Sequence, residues 1–261
     1  MPVRSSVADG VAVLTLDRQE TLNAFDDALG SEFLEAVAGA AADDSVRCIV
    51  ITGAGRAFSA GEDLGALQST YASGRTPPLG DTLVNRYNPT IKAITEAPKP
   101  VIAAVNGVAA GAGASIALAC DYRIASENAK LVLAFVHAGL VPDSGAIWFL
   151  TRMVGSARAV HHALTGDAID ARSGRELGIF DEVVEADAFQ DAWKDAAERL
   201  ASGPTRAYAL IKELAFAASA GSLEEQLLLE VKAQTEAGGT ADHMEGVKAF
   251  LEKRKPRFQG R

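Results

Sequence analysis

Two short apolar runs, each ending at a glycine, constrain the fold of this chain more than any other feature. The first is VRCIVITG at residues 46–53, and the second is PVIAAVNG at residues 100–107. Neither run alternates between apolar and polar residues. Continuous apolar runs of this length are typical of strands that are covered on both faces, as in layered α/β folds. We therefore predict an α/β fold in which these two runs are buried strands.

The segments around these strands carry local patterns of their own. SSVADGVAVLTLD predicts a hairpin that turns at Asp9-Gly10. Residues 26–41 have apolar residues at helical spacing and acids in the first turn, which predicts a helix. Residues 69–81 are polar and rich in glycine and proline, so we predict a mobile surface loop there. A helix is then expected to start near Pro89.

The last part of the chain differs from the rest because its patterns are helical throughout. Gly203-Pro204 and Gly221 separate the helices that we predict there. We therefore divide the chain into a body at residues 1–195, which carries the strands and their turns, and a helical region at residues 196–261.

Composition excludes several classes of partner. The chain has 261 residues, of which 48% are apolar, and its formal net charge is −9. This charge argues against binding to nucleic acid or to an anionic membrane surface. No stretch is apolar enough to span a bilayer or to serve as a signal peptide, so we expect a cytoplasmic protein. Cys48 and Cys120 lie in apolar runs and are predicted to be buried free thiols, and no metal-ligand cluster is evident.

Each apolar strand runs into a turn of small residues and then a predicted helix. The turns are GAGRAFSAGEDL after the first strand and GVAAGAGAS after the second. Helix N-termini at such turns present free N–H groups, and small residues let a ligand approach the backbone. Two N–H groups that converge from the two turns would polarise one carbonyl oxygen, which is an oxyanion hole. Alternatively, the glycines only permit tight helix–strand packing. Neither turn has a dinucleotide or phosphate-loop pattern.

The two turns resemble the signatures of the enoyl-CoA hydratase/isomerase (crotonase) superfamily. The matching segments are AFSAGEDL at residues 57–64 and PVIAAVNGVAAGAG at residues 100–113. Three further segments match in order: LDRQETLNAFDDAL, LTGDAIDARSGRELGIFDEVV and EGVKAFLEKRKPRF. The resemblance implies a spiral of repeated β-β-α units in the body and a helical trimerisation region at residues 196–261. It also implies a homotrimer or a dimer of trimers, an acyl-CoA thioester as substrate, and no separate cofactor.

The resemblance also implies roles for individual residues. The backbone N–H groups of Glu62 and Ala112, beside Gly111, would bind the thioester carbonyl oxygen and stabilise an enolate. Residues expected to contact coenzyme A are Ala60, Asp63 and Leu64, together with Phe250 and Lys253 of a neighbouring subunit. The basic run that begins at Lys253 would meet the phosphates of the nucleotide, or would alternatively be a solvated helix end.

Two glutamates that hydratases of this superfamily use to activate water are absent. Ser115 and Phe135 stand at those positions, and neither can act as a carboxylate base. Asp143 in the VPD segment is the remaining acid. Apolar neighbours expected around it are Phe135, Leu140 and Trp148, which would raise its pKa and favour proton transfer. Alternatively, Asp143 only caps a helix that begins near Ser144.

The segment AFVHAGLVPDSGAIWFL, with RYNPTIKAI and VNGVAAGAGASIALACD, resembles one branch of the superfamily, the 1,2-epoxyphenylacetyl-CoA isomerases. That branch implies rearrangement of a ring epoxide to an oxepin thioester, or a shift of 3-enoyl-CoA to 2-enoyl-CoA. We predict that Asp143 moves the proton. The far wall of the acyl pocket is expected to involve Leu67, Tyr87, residues 69–85, Phe135 and Trp148.

Three other functions stay open from sequence. One is a general enoyl-CoA hydratase of fatty acid β-oxidation. Another is a serine hydrolase that uses Ser115 and His137, although Ser115 lacks the usual flanking glycines. The third is an acyl-CoA binder without catalytic activity. We favour the isomerase because Asp143 is the carboxylate that the sequence leaves beside the predicted oxyanion hole.

Overall fold

Two β-sheets form the framework of the protein. In the middle of the chain, successive strands belong alternately to the first and the second sheet. The structure is a computed structural model that describes residues 1–261. The first sheet has six strands in the spatial order β1 (Val3–Ala8), β2 (Val11–Leu16), β3 (Cys48–Gly53), β5 (Val101–Val105), β7 (Tyr122–Ser126) and β10 (Glu182–Val184). The second has four, in the order β4 (Ala57–Ser59), β6 (Val108–Ala110), β8 (Lys130–Val132) and β9 (Ile169–Asp170).

The strands come in repeated units along the chain. The pairs β3-β4, β5-β6 and β7-β8 each add one strand to each sheet, and helical segments follow each pair. Strand pairing is parallel except between β1 and β2 and between β8 and β9. Parallel neighbours require crossover connections, which the helices supply. The predicted α/β class with repeated β-β-α units is confirmed.

Twelve α-helices accompany the sheets. Their bounds are α1 (Asp27–Ala42), α2 (Gln68–Ala72), α3 (Leu79–Thr82), α4 (Asn88–Thr95), α5 (Ala112–Ala119), α6 (Ala146–Val154), α7 (Ser156–Thr165), α8 (Ala171–Glu176), α9 (Phe189–Ala201), α10 (Thr205–Ala218), α11 (Leu223–Gly238) and α12 (Ala241–Leu251). A π-helical turn, Leu83–Tyr87, joins α3 to α4.

The two apolar runs are buried strands, as predicted. Successive residues of β3 face opposite sides of the first sheet, because side chains alternate along a strand. Ile49 and Ile51 belong to the larger core with α1, α4 and α5. Cys48 and Val50 belong to a smaller core with α9. The absence of alternation in the sequence therefore reflects burial on both faces. Cys48 and Cys120 are buried free thiols, which confirms that prediction.

The N-terminal hairpin and the first helix also form as predicted. Asp9 and Gly10 have positive φ values of 51° and 78°, and β1 pairs with β2 across them. Two residues with positive φ are typical of the tight turns that join twisted strands. Asp26 precedes α1, and its carboxylate accepts a hydrogen bond from the Leu29 N–H at 2.8 Å. This bond satisfies one of the free donors at the start of the helix.

The prediction that residues 69–81 form a loop throughout is wrong, and the mobility of this segment stays a prediction. This stretch contains α2 and α3, which are separated by a turn at Gly74 with a φ of 74°. The residues of α2 include no glycine or proline, so a short helix forms before Gly74 ends it. The helix predicted near Pro89 is α4, with that proline in its first turn, where the missing N–H costs nothing.

Four helices, α9 to α12, follow β10, and residues 252–261 lie outside any helix. Helix α9 crosses the predicted boundary between residues 195 and 196 without a break, and its buried residues pack on the first sheet. Helices α10 to α12 follow, with many large apolar side chains exposed. These include Ile211, Phe216, Leu223, Leu227, Leu228, Val231 and Phe250. The assignment of residues 196–261 to oligomerisation stays a prediction. No helix has both the length and the apolar character needed to cross a membrane.

Candidate active site

The turn after β4, which we call the first turn, spans Ala60, Gly61 and Glu62. Strand β4 is buried, and Gly61 then adopts a φ of 91°. The Ala60 N–H donates to the Leu22 carbonyl at 2.9 Å, and the Gly61 N–H donates to the Ser59 hydroxyl at 3.2 Å. The Glu62 N–H has no acceptor within the chain. The first turn therefore leaves one backbone donor free for a ligand.

The turn after β6, the second turn, places Gly111 before α5. Gly111 has a φ of 51°, and its N–H donates to the Val132 carbonyl at 3.0 Å. Ala112 is the first residue of α5, so its N–H has no acceptor within the helix. The positive end of the helix dipole lies at the same place. All eight residues of α5 are buried.

Glycines let the two turns approach closely. A Cβ atom on Gly61 would lie 3.3 Å from the Ala112 nitrogen and 2.8 Å from the Ala110 carbonyl oxygen. A Cβ atom on Gly113 would lie 2.6 Å from the Ser59 carbonyl oxygen. The glycines permit tight packing, which brings the two donor-bearing segments together, and the use of those donors as an oxyanion hole stays a prediction. The geometry forms a candidate oxyanion hole from the Glu62 and Ala112 N–H groups.

Asp143 lies in the segment before α6 and is anchored to α5. Its backbone carbonyl accepts hydrogen bonds from the Ser115 hydroxyl at 3.1 Å and from the Ala146 N–H at 2.9 Å. Its carboxylate accepts from the Ser144 hydroxyl at 2.8 Å. Helix α6 begins at Ala146 without a side-chain cap. The alternative that Asp143 is a capping residue is therefore wrong, because the intervening residues move the helix start beyond reach of its carboxylate.

The carboxyl of Asp143 holds its proton more tightly than an exposed aspartate does. Burial is the largest cause and raises its pKa. The hydrogen bond from Ser144 lowers the pKa, whereas the negative charge of Glu62 raises it. The net shift is upward, toward the range in which a carboxyl group can both accept and return a proton.

The side chain of Glu62 is part of the site, which sequence reasoning missed. Its carboxylate accepts hydrogen bonds from Arg86 Nη1, at 3.1 Å and 3.3 Å to the two oxygens, and from the Tyr87 hydroxyl. Burial, followed by the charge of Glu62, raises the pKa of Tyr87, so its hydroxyl stays protonated and donates. The signal was present as an acid inside AFSAGEDL, but we considered only the amide of that residue.

Comparisons with known proteins identify the family of the chain. The sequence profile of the enoyl-CoA hydratase/isomerase family matches residues 6–261. The chain belongs to this family. It is 43% identical over 259 residues to 1,2-epoxyphenylacetyl-CoA isomerase of Escherichia coli, covering 99% of this chain and 98% of that protein. It is 44% identical over 259 residues to a "probable enoyl-CoA hydratase" of Rhodobacter capsulatus, with the same coverage.

A solved structure shows the same fold. The crystal structure of enoyl-CoA hydratase from Bacillus anthracis superposes with a TM-score of 0.93 at 31% identity, and the match covers 100% of both chains. The crotonase fold expected from the sequence is thereby confirmed. Because these relatives include a hydratase and an isomerase, the residues at the reacting end have to distinguish the two activities.

Ser115 and Phe135 occupy the two positions at which the family resemblance predicts glutamates in a hydratase. Ser115 is buried, and its hydroxyl contacts the carbonyl oxygens of Gly111 at 3.3 Å and Asp143 at 3.1 Å. Phe135 is buried in the larger core. His137 lies with its Nε2 atom 3.3 Å from the Thr165 carbonyl oxygen and makes no hydrogen bond to Ser115. The pair needed for a serine hydrolase is therefore not formed.

The residues expected to contact coenzyme A lie in two separate regions. Ala60, Asp63 and Leu64 follow β4, and Asp63 is held by the Arg18 guanidinium at 3.1 Å. Phe250, whose side chain is 82% exposed, lies near the end of α12. Lys253 follows that helix in a left-handed conformation with a φ of 55°. That these two residues reach the site of a neighbouring subunit stays a prediction.

The three predicted apolar neighbours of Asp143, which are Phe135, Leu140 and Trp148, differ in their exposure to solvent and in their contacts. Leu140 is partly exposed, whereas Phe135 is buried. The Trp148 ring stacks on Phe216 of α10 with 5.0 Å between ring centroids, and the Arg152 guanidinium lies 3.6 Å from its centroid. The orientation of Trp148 thus depends on α10. Its contact with an acyl group stays a prediction, as do those of Leu67 and residues 69–85.

Proposed function

We propose that the protein is an acyl-CoA isomerase that stabilises a thioester enolate and moves a proton with Asp143. The observation that carries this proposal is the environment of Asp143: a half-buried carboxyl with a raised pKa, anchored through Ser115 to the helix that bears the candidate oxyanion hole. The thioester substrate brings its own coenzyme A, and we propose that no other cofactor takes part.

The reaction requires negative charge to be stabilised at the thioester oxygen. In our proposal the Glu62 and Ala112 N–H groups donate to that oxygen when a proton leaves the adjacent carbon. The electron pair from the C–H bond enters the enolate, and Asp143 accepts the proton and returns it to another carbon. Donors already oriented toward the developing charge need no rearrangement, which is the main source of rate enhancement in such sites.

The residues favour isomerisation over water addition. A hydratase of this family needs a carboxylate pair to orient and activate water, and the chain has Ser115 and Phe135 at the corresponding positions. Both are buried, and Ser115 is committed to backbone carbonyl groups. A single carboxyl suffices for isomerisation because the same proton leaves one carbon and returns to another.

For the acyl group we propose 1,2-epoxyphenylacetyl-CoA, rearranged to the oxepin, or a 3-enoyl-CoA converted to the 2-enoyl isomer. Support comes from the 43% identity to the Escherichia coli 1,2-epoxyphenylacetyl-CoA isomerase across almost the whole of both chains. The resemblance of the segment around Asp143 to that branch supports the same proposal.

A panel of three substrates tests the proposal: a 3-enoyl-CoA, a 2-enoyl-CoA in water, and ring-epoxidised phenylacetyl-CoA. We expect isomerisation of the first or third to be much faster than hydration of the second. Asp143→Asn should lower kcat by about 100-fold to 10,000-fold, the usual contribution of a general acid–base group. Asp44→Asn, which changes an exposed acid, serves as the matched control.

The outcomes of the panel separate the alternatives. Hydration faster than isomerisation would favour the hydratase. Binding of acyl-CoA with no turnover of any substrate would favour the non-catalytic binder. Labelling of Ser115 by a fluorophosphonate probe would favour the hydrolase. An Asp143→Asn variant that binds substrate and keeps full isomerase activity contradicts the proposed role of Asp143.

We also propose that the protein acts as a homotrimer or a dimer of trimers. Exposed apolar residues on α10 to α12 support this, since a large exposed apolar surface usually marks an interface. In the assembly, Phe250 and Lys253 of one subunit would contact coenzyme A bound to the next. The molar mass of the protein in solution tests the oligomer, and Lys253→Ala should raise KM for the thioester with little change in kcat. A cytoplasmic location stays a prediction.

A further inference from the structure

We propose that residues 254–261, which we call the return segment, hold helix α12 against the body of the protein, and that Asp242 is the positioning residue of this attachment. The attachment fixes where Phe250 and Lys253 lie. It rests on the proposed function, because the placement of these two residues affects the reaction only if they contact coenzyme A on a neighbouring subunit. The contacts of α12 and of the return segment support it.

Helix α12 has little apolar packing of its own within the chain. Of its 11 residues, only Asp242 and Ala249 are buried. The large apolar side chains of the helix are exposed, and they are Met244, Val247, Phe250 and Leu251. Hydrophobic stabilisation is roughly proportional to the apolar area that is removed from water, so packing alone holds α12 weakly. Within the subunit, polar contacts therefore have to fix the position of this helix.

Asp242 binds the return segment at three points. Its Oδ1 atom accepts a hydrogen bond from the Gln259 N–H at 2.6 Å, and its Oδ2 atom accepts one from the Gly260 N–H at 2.8 Å. Its own N–H donates to the Arg261 carbonyl at 3.0 Å. Asp242 is buried, and a buried carboxylate is costly unless it is hydrogen-bonded. The return segment supplies both donors that this carboxylate has, so α12 and the segment are stable together.

A second acid of α12 binds the start of the return segment. The Glu245 carboxylate accepts hydrogen bonds from the Arg254 guanidinium at 2.6 Å and 2.9 Å, and from the Arg257 N–H at 2.8 Å. Asp242 and Glu245 are three residues apart, so they lie on the same face of the helix. The return segment therefore runs back along this face, with its start at Glu245 and residues 259–261 at Asp242.

The chain reverses its direction at Lys253. The φ of this residue is 55°, in the left-handed region that favours glycine at the end of a helix. The Lys253 N–H donates to the Phe250 carbonyl at 3.2 Å, and the Arg254 N–H donates to the Ala249 carbonyl at 3.0 Å. A lysine adopts this conformation at a cost, so contacts beyond the turn have to maintain it. The pairing of Arg254 with Glu245 is such a contact, and the direction of Lys253 depends on it.

Arg47 joins the return segment to the body. It directly precedes β3, and its Nη1 atom donates to the Phe258 carbonyl at 3.0 Å. Its Nε atom donates to the Thr205 hydroxyl at 3.1 Å, and its Nη2 atom donates to the Gly203 carbonyl. The Phe258 ring lines the same groove as Phe250. One guanidinium thus connects the first sheet, the junction of α9 with α10, and the segment that binds α12.

The attachment has a specific consequence for substrate binding. Phe250 lies in the last turn of α12 and Lys253 follows the helix directly, and both are exposed. If α12 were loosely held, coenzyme A would have to order these side chains when it binds, at a cost in affinity. In our proposal neither residue touches the reacting carbons. A loosened attachment should therefore raise KM and leave kcat almost unchanged, the pattern of an interaction made equally in the ground state and the transition state.

The decisive variant is Asp242→Asn, in which an NH2 group replaces one of the two acceptor oxygens. We expect amide hydrogen exchange, read by mass spectrometry, to become faster in α12 and in the return segment and to stay unchanged in β3 and β5. KM for the acyl-CoA thioester should rise by about tenfold, the effect of losing one hydrogen bond to a charged group. Asp195→Asn, which changes an exposed acid of α9, is the matched control and should alter neither quantity.

A double variant tests whether Asp242 acts through Lys253. The rise in KM of Asp242→Asn/Lys253→Ala should be smaller than the product of the two single rises, because Asp242 cannot position a side chain that is absent. A rise equal to that product would overturn the positioning role.

Unchanged hydrogen exchange of α12 in folded Asp242→Asn overturns the attachment. If that variant does not fold, Arg47→Met replaces it, since it keeps an apolar stem and removes the hydrogen bonds to the return segment and to the junction of α9 with α10. The same results are expected, and unchanged exchange again overturns the inference.

The variants also separate this inference from the proposed function. If Lys253→Ala raises KM and Asp242→Asn does not, the positioning role is wrong and the proposed contact with coenzyme A stands. If Lys253→Ala leaves KM unchanged, the proposed contact of Lys253 is wrong, whereas faster exchange in Asp242→Asn would still support the attachment of α12.

Discussion

The first turn and the second turn supply equivalent backbone donors but are held in place by opposite means. The first turn is fixed by charged and polar side chains that reach Glu62 and Asp63 from other parts of the chain. The second turn forms no ion pair, and Gly111 and Gly113 pack closely against Gly61 and Ser59 of the neighbouring segment. One half of the site can therefore be adjusted by charge, and the other half tolerates almost no change in volume.

Gly113→Ala should produce the largest effect, since it tests the packed half. A Cβ atom there would lie 2.6 Å from the Ser59 carbonyl oxygen and 2.7 Å from its Cβ, so the two turns must separate. We expect kcat/KM to fall by about 100-fold or more, as when an oxyanion-hole donor is lost. Overpacking should also lower the free energy of unfolding by about 1–3 kcal/mol. Steady-state kinetics and urea unfolding measure the two quantities.

The matched control for this variant is Gly39→Ala. A Cβ atom on Gly39 meets nothing within 4 Å, and the residue lies inside α1. This variant should be as active as the wild type and more stable by up to about 1 kcal/mol. Equal kcat/KM for Gly113→Ala and Gly39→Ala would contradict the idea that close packing maintains the second turn.

Gly30→Ala should produce a smaller effect. It tests the first turn indirectly, because Gly30 contacts Arg86, which in turn binds the Glu62 carboxylate. The new methyl group displaces the flexible end of Arg86 and loosens the tether on Glu62 without touching the backbone of the first turn. We expect kcat/KM to fall by about tenfold, which is less than the roughly 100-fold loss that a full 1 Å misplacement of a reacting group can cause. Gly39→Ala in the same helix is again the control. If Gly30→Ala has the same kcat/KM as Gly39→Ala, the contact between Arg86 and Glu62 does not affect the site.

The smallest effect is expected on the free energy of unfolding. It concerns Asp143, whose carbonyl is bound by the Ser115 hydroxyl of α5. Its pKa is raised in the folded protein, so the folded state binds this proton more tightly than the unfolded state does. The stability of the wild type relative to Asp143→Asn should therefore fall as pH rises from the ordinary aspartate range through the raised pKa of Asp143. Urea unfolding of both proteins across this pH range measures the difference. A difference that does not change with pH contradicts the upward shift.

The sequence was sufficient for features that depend on neighbouring residues or on burial. Strands β3 and β5 were recognisable because residues buried on both faces leave an unbroken apolar run. The turn at Asp9-Gly10 and the first turn of α1, with its acids, depend on a few consecutive residues. The segment at residues 69–81 was misjudged because Gly74, Pro77 and Pro78 lie between two short helices, and Gly80 lies inside the second helix without preventing it.

The sequence was insufficient where a residue is defined by a distant partner. Glu62 and Arg86 are 24 residues apart, and nothing in the spacing of the two charges reveals that they pair. The space at Gly30 is equally invisible, since a glycine in a helical pattern usually has no assigned partner. Ser115 was recognised only as a missing glutamate, whereas in the structure its hydroxyl holds the segment that carries Asp143.

The hydroxyl of Ser115 has a consequence for how activities diverge among related enzymes. Introducing one of the two missing carboxylates by Ser115→Glu would place a larger acid in a fully buried position and remove the hydrogen bond to the Asp143 carbonyl at the same time. A step toward water addition would thus begin by weakening the support of Asp143. The effect of a substitution at residue 143 should therefore depend on the residue at position 115. If Asp143 moves the proton as proposed, an engineered route between the two activities would have to replace the Ser115 hydrogen bond when it introduces the new acids.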